Sequence, residues 1–259
     1  MLRTIAALLL GAMLLTAPIA HAAEKVCAVV ALHGKWSNPR DIALFADRLA
    51  PLCDYKSLEM PWSKRRDYDA PYPAALQDIQ QQVAAFRAQG YRRVVLAGHS
   101  FGANAALAYM AEIGDADAIV LLAPGHSPRL MYERGASREA VDQARELVAA
   151  GKGSESLSVL DLNSGDRKRS IRMRADVLLS YFDPQGLGNM QVTAPRIRKP
   201  VPILWVVGDM DPLSRLGPQY AFQRAPAHPA SKYVSVSADH INTPEASVAE
   251  VIAWIEALP

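Results

Sequence analysis

The chain is poor in the residues that hold metals and phosphates. It has two cysteines and six histidines. There is no His-Glu-x-x-His helix, no Cys/His quartet and no Gly-x-x-x-x-Gly-Lys-Ser/Thr loop, which leaves zinc and P-loop chemistry without their ligands. Long tracts of one charge are also missing. Against 28 basic residues stand 26 acidic ones, for a formal net charge of +2. The short clusters "SKRR" (63–66) and "DRKRS" (166–170) read as solvated loops, so nothing supports nucleic acid as a partner. No internal repeat or low-complexity tract interrupts the sequence.

Long apolar runs are scarce as well. The main one, Ile5 to Leu15, follows Arg3 and precedes Ala20-His21-Ala22. It is too short to cross a bilayer core of about 30 Å comfortably. Its three parts predict a secretory signal over residues 1–22, cleaved at a small-x-small site. The expected mature chain then starts near Ala23, is periplasmic or secreted, and carries no stable membrane anchor. In an oxidising compartment a lone cysteine pair, Cys27 and Cys53, is expected to be joined. Each sits at the start of an apolar run, "VCAVVALHG" and "LCDYKSLEMPW". Neighbouring parallel strands would bring those starts within disulfide reach.

What remains is a chain of 259 residues, half of them hydrophobic, which suits one generous domain or a domain with a large insertion. Short, continuously apolar runs alternate with helical patterns, as strands covered on both faces do. The pattern predicts strands at 26–32, 55–60, 93–97, 118–123, 202–207 and 232–237. Helices are predicted at 39–50, 73–89, 101–113, 216–224 and 244–257, the first opened by Asn38-Pro39. Strand and helix in turn predict an α/β fold with a mostly parallel sheet of about six strands. The rhythm breaks over 124–199. There "SREAVDQARELVAAG" and "KRSIRMRADVLLSYFDPQG" read as helices, which predicts a helical cap insertion over about 126–199. It would lie beyond the C-terminal end of a strand, where open α/β sheets bind ligands.

The chemistry centres on "RRVVLAGHSFGANAAL", residues 92–107. A β-branched run ends in Gly98-His99-Ser100-Phe101-Gly102 and passes into small, helix-favouring residues. A serine held in a strained strand-to-helix turn needs glycine at 98 and 102, where a Cβ would strike backbone. The helix that follows turns its N-terminus toward developing negative charge. A serine hydroxyl also needs a base, and the base an orienting carboxylate. Two later strands end in residues of the right kind and order. "PILWVV" ends in Gly208-Asp209-Met210-Asp211-Pro212, and "KYVSVS" ends in Ala238-Asp239-His240.

With Gly98–Gly102, Gly208–Pro212, His240 and the "LHGKW" turn (32–36), residues 26–258 resemble the α/β-hydrolase superfamily. The resemblance implies a catalytic triad of Ser100, His240 and Asp211. Asp209 is the alternative acid, since only the usual spacing from the strand-terminal glycine favours Asp211. It implies an oxyanion hole made by the backbone N–H groups of Phe101 and Lys35. No cofactor and no metal are implied. The expected activity is that of a serine hydrolase on a small-molecule carboxylic ester, through an acyl-enzyme. Amide hydrolysis and acyl transfer share the same triad, and a catalytically silent binding protein is the reading from another class. Side chains outside the triad carry plainer expectations. Lys35 is expected to be solvated and His33 to hold its loop by hydrogen bonding. His99 and His126 are at most pocket-lining, and His228 is structural or exposed. Met131, Tyr132, Leu178, Leu179, Tyr181, Phe182 and Met190 either line an acyl pocket or merely pack the cap onto the core.

Overall fold

In the computed structural model, which describes residues 27–259, the apolar runs form six parallel strands. The expected secretory segment, residues 1–22, lies outside the described residues. The strands are β1 (Cys27–Leu32), β2 (Cys53–Leu58), β3 (Val94–His99), β4 (Ala118–Leu122), β7 (Ile203–Gly208) and β8 (Lys232–Val236). They pair in the order β2-β1-β3-β4-β7-β8. β1, β4 and β7 are buried at every residue, which is why no polar alternation marks them in the sequence.

Side chains alternate between two cores. Ala28, Val30 and Leu32 face one cluster, shared with helices α2 (Tyr72–Ala88) and α3 (Phe101–Glu112). Cys27, Val29 and Ala31 face the other, shared with α1 (Pro39–Leu49) and α9 (Val248–Glu256). Asn38 caps α1 as its motif predicts, with its side chain accepting from the Arg40 N–H at 2.9 Å. Cys27 and Cys53 stand opposite each other in the β1–β2 register and are joined by a disulfide.

Two predicted helices are corrected. Residues 168–174 are not helical: β6 (Lys168–Arg174) pairs antiparallel with β5 (Ser156–Leu162) in a separate hairpin. Only one face of this hairpin is covered, so Val159, Asp161, Ile171 and Met173 are buried in alternation with exposed residues. A two-residue period without a continuous apolar run hides such strands among charged side chains. The helix α6 (Ala175–Phe182) then occupies the rest of the predicted span. The helix expected over 216–224 is replaced by two 3₁₀ turns, Pro212–Leu216 and Phe222–Arg224. Gly217, at φ 65°, and Pro218 stop a continuous helix between them.

The remaining helices between β4 and β7 are α4 (Pro128–Glu133), α5 (Arg138–Ala149) and α7 (Met190–Thr193). Met131, Leu178, Tyr181, Phe182 and Met190 from this segment enter the same core as α2 and α3. Burying a side chain of this size contributes about 1.5–3 kcal/mol. The segment therefore shares the body's core and has none of its own.

Candidate active site

Every side chain of the candidate site stands where a parallel strand ends. Ser100 follows β3 and begins α3 with φ 55° and ψ −113°, a conformation that an L-residue adopts only under constraint. The flanking glycines make it sterically feasible. A Cβ on Gly98 would lie 2.2 Å from the Gly102 carbonyl group, and one on Gly102 would lie 2.1 Å from the Leu32 carbonyl oxygen. On the other side of the serine, a Cβ on Gly125 would come within 2.8 Å of Ser100 Oγ.

Three of the predicted residues are brought together. His240 Nε2 lies 2.9 Å from Ser100 Oγ, and His240 Nδ1 lies 2.6 Å from Asp211 Oδ2. The carboxylate can only accept, so Nδ1 carries the proton and Nε2 is free to accept from the serine hydroxyl. Asp211 is buried, and its other oxygen accepts the Leu213 N–H at 3.0 Å. Asp209 is exposed instead, and its carboxylate accepts from the Ala238 N–H. Asp239 also faces solvent, where it accepts from the Ile241 and Asn242 N–H groups. These backbone bonds hold its carboxyl below the usual carboxylate range. Of the three acids, only Asp211 reaches the imidazole.

The other histidines serve as braces. His33 Nε2 accepts the Met60 N–H at 3.1 Å, so its Nδ1–H donates to the Gly34 carbonyl at 2.8 Å, as a loop-holding role requires. His99 lines the cleft and donates from Nε2 to the His240 carbonyl at 2.8 Å. Burial and then the adjacent His240 push its pKa down to about 4, so it is a neutral donor. His126 does not line the cleft. It lies buried against the Phe101 ring, with centroids 4.1 Å apart, and donates to the Tyr181 carbonyl. Burial and the nearby Lys35 ammonium hold it well below its ordinary pKa. His228 is half-buried and braces its own turn by accepting the Ala230 N–H.

The Lys35 side chain corrects the expectation of a solvated lysine. It is buried, and its Nζ lies 2.6 Å from Asp161 Oδ1. Burial lowers its pKa, and the facing Asp161 opposes that shift. Among the described residues, the backbone N–H groups of Lys35 and Phe101 donate to no protein acceptor. Gly34 closes the gap between this turn and the serine, because a Cβ there would touch Ser100 Cβ at 3.2 Å.

A cleft of about 520 Å³ opens over Ser100 and His240. Ser37, Asp41, Asn163 and Arg167 form part of its wall, together with the exposed Leu44 and Ile241. None of the seven apolar residues considered for an acyl pocket lines it. They pack into or against the core. Asn104 was not singled out by sequence. It is fully buried on α3, accepts from the Tyr72 hydroxyl at 2.6 Å and donates to the His126 and Gly188 carbonyls. Its signal was a lone amide in an alanine-rich helix.

A profile of the alpha/beta hydrolase family matches residues 12–253. The chain belongs to the alpha/beta hydrolase family. Solved structures with the same fold include the monoacylglycerol lipase of Paleococcus ferrophilus. It has a TM-score of 0.61 and 19% identity, over 88% of this chain and 93% of that one. Est1E from Butyrivibrio proteoclasticus, with bound ferulic acid, aligns at a TM-score of 0.58 and 16% identity, over 90% and 89%. A carboxyl esterase from Bacillus coagulans in complex with glycerol aligns at 0.58 and 13%, over 90% and 92%. At these identities the likeness is one of fold. A search of curated proteins finds no match. This alpha/beta hydrolase thus keeps the six-stranded core with its candidate site at the strand ends.

Proposed function

We propose that the protein is a serine hydrolase of carboxylic esters, with Ser100 as nucleophile, His240 as base and Asp211 as its orienting acid. The observation that carries this reading is the unbroken relay from Ser100 Oγ to His240 to Asp211 at 2.9 and 2.6 Å. It opens onto a cleft lined by Ser100, His240 and Lys35, and among the described residues the N–H groups of Lys35 and Phe101 have no protein acceptor. Ser100 Oγ adds to the ester carbonyl while His240 Nε2 takes its proton. The tetrahedral oxyanion is held by the N–H groups of Phe101 and Lys35. His240 then protonates the departing alkoxide, leaving the acyl-enzyme. Water, deprotonated by His240, attacks the acyl carbon, and collapse releases the acid and returns the proton to Ser100. Removing one oxyanion donor from such a site costs roughly 3 kcal/mol of transition-state stabilisation.

Ester rather than amide is favoured by the lipases and esterases among the structures of the same fold. We assign the segment over about 126–199 as a cap. The bridge between Cys27 and Cys53 and the signal-like residues 1–22 together support export from the cytoplasm. The test is hydrolysis of aryl esters of increasing chain length, and of the matching anilides, by wild type and Ser100→Ala. Wild type is expected to cleave the esters, and Ser100→Ala to lose on the order of 10⁶-fold in kcat. Cleavage of anilides alone would overturn the ester assignment. A wild type inert to every substrate, or a fully active Ser100→Ala, would overturn the enzyme reading.

A further inference from the structure

The turn that carries Lys35 is fastened from several sides. Lys35 Nζ donates to Asp161 Oδ1 at 2.6 Å and to the Leu162 carbonyl at 2.7 Å. The Lys35 carbonyl accepts from Asn163 Nδ2 at 3.2 Å. The next N–H, that of Trp36, donates to the Trp62 carbonyl at 2.9 Å. The Trp36 indole donates to Asp161 Oδ2 at 3.2 Å, and the Tyr68 hydroxyl donates to the same oxygen at 2.8 Å. Trp36 itself sits at φ 56°, which a non-glycine residue holds only when its surroundings fix it. Among the described residues, the N–H of Lys35 is the one hydrogen-bonding group of that residue without a protein partner. That same group is assigned above to the oxyanion.

A buried lysine–aspartate pair is weak as a stability device, since apolar residues of equal volume often stabilise at least as well. What a carboxylate with three donors around it supplies is direction. Direction matters at this turn, because a misplacement of about 1 Å costs on the order of 10² in rate. The ammonium also lies 5.7 Å from the centre of the Phe101 ring. Phe101 is stacked in turn against Trp62, with centroids 4.7 Å apart. Lys35 and Phe101, the two residues assigned above to the oxyanion hole, thus meet through their side chains.

We propose that Asp161 is a positioning residue for the oxyanion hole: its carboxylate, carried on the β5–β6 hairpin, fixes the Lys35–Trp36 turn so that the Lys35 N–H points at the developing oxyanion. The proposal rests on the serine-hydrolase reading. It makes the hairpin part of the catalytic apparatus, although Asp161 itself does not line the cleft over Ser100.

The experiment compares wild type with Asp161→Asn, which keeps the shape and removes the charge. Active sites are counted by fluorophosphonate titration. Then kcat and KM are measured on an aryl ester, together with affinity for phenylboronic acid, whose tetrahedral adduct on serine places an oxygen in the hole. The expected result is a kcat per active site lower by on the order of 10²-fold. KM should change by less than about threefold, and boronate affinity should fall in parallel with kcat. A merely structural role would lower the fraction of active sites and leave kcat per site and boronate affinity intact. Because removing one partner of a buried pair can unfold the chain, a second variant, Lys35→Met with Asp161→Leu, removes both charges and keeps the backbone N–H. It is expected to show the same loss in kcat with native circular dichroism. Wild-type kcat and boronate affinity per active site in either variant overturn the proposal and leave the hydrolase reading standing. A wild type that neither labels nor turns over overturns both.

Discussion

Where the strands of the sheet begin, the chain is stapled; where they end, it is strained. At the beginning, the disulfide joins the first residues of β1 and β2. Arg93, just before β3, donates to the Leu258 and Pro259 carbonyls at 2.9 and 2.7 Å, fastening the residues that follow α9. Asp117, just before β4, accepts from the Val94 N–H and from Arg87, both at 2.6 Å. At the other end, Trp36, Ser100, Ala123 and His126 all hold positive φ, each at a cost of about 1–3 kcal/mol. Beside them lie a buried Lys35–Asp161 pair and a buried Asp211–His240 pair. One end supplies stability that the other spends on geometry. A change at the strand ends should therefore alter activity more than stability, and a change at the strand starts should do the reverse.

The largest expected separation lies between two neighbouring acids. Asp211→Asn should lower kcat by on the order of 10⁴-fold, because the imidazole would be held in the wrong tautomer. Asp209→Asn, two residues away and exposed, should stay within a few-fold of wild type. Steady-state kinetics on both variants at equal active-site concentration check this. Near-full activity in Asp211→Asn would reassign the acid.

At the strand starts, Cys27→Ser with Cys53→Ser should leave kcat unchanged. It should lower unfolding free energy by about 3–4 kcal/mol, the loop-entropy scale for a bridge of this span. Chemical denaturation with parallel assays reads both quantities. A large loss of kcat at wild-type stability would erase the contrast between the two ends.

The smallest effect is in pH. Unfolded His99 takes up a proton near its ordinary value of 6.5, whereas in the fold it does so only at about 4. Between those values unfolding binds a proton, so stability falls as pH is lowered through that window. His33 and His126, also lowered by burial, act in the same direction. Denaturation midpoints should drop from pH 7 to pH 5, and drop less in His99→Asn. A midpoint independent of pH would contradict the assignment of buried, neutral histidines.

How far the sequence could be read follows the same division between elements. Ser100 and Asp211 lie just beyond continuously apolar runs, and His240 just beyond the β-branched stretch "KYVSVS", so locating the strands located the residues. The Cys27–Cys53 bridge was legible for the same reason. The fastening of Lys35 was not, because its partner is 126 residues away on a half-covered hairpin that has no continuous apolar run and whose second strand runs into the helical pattern of α6. A lone lysine is ordinarily solvated, and only the three-dimensional placement of Asp161 reverses that expectation. The 3₁₀ turns after Asp211 are not legible in the sequence, because Gly217 and Pro218 interrupt a stretch whose other residues read as one helix.

The central claim is that Ser100 is a nucleophile activated by the relay behind it. The most direct test is incubation of the folded protein with a fluorophosphonate, followed by digestion and mass spectrometry of the peptide carrying residues 94–112. One adduct per chain is expected, on Ser100, formed more slowly in His240→Ala by on the order of 10³-fold or more, the acceleration a triad supplies. An unmodified Ser100, or labelling of another serine at the same rate, would contradict it.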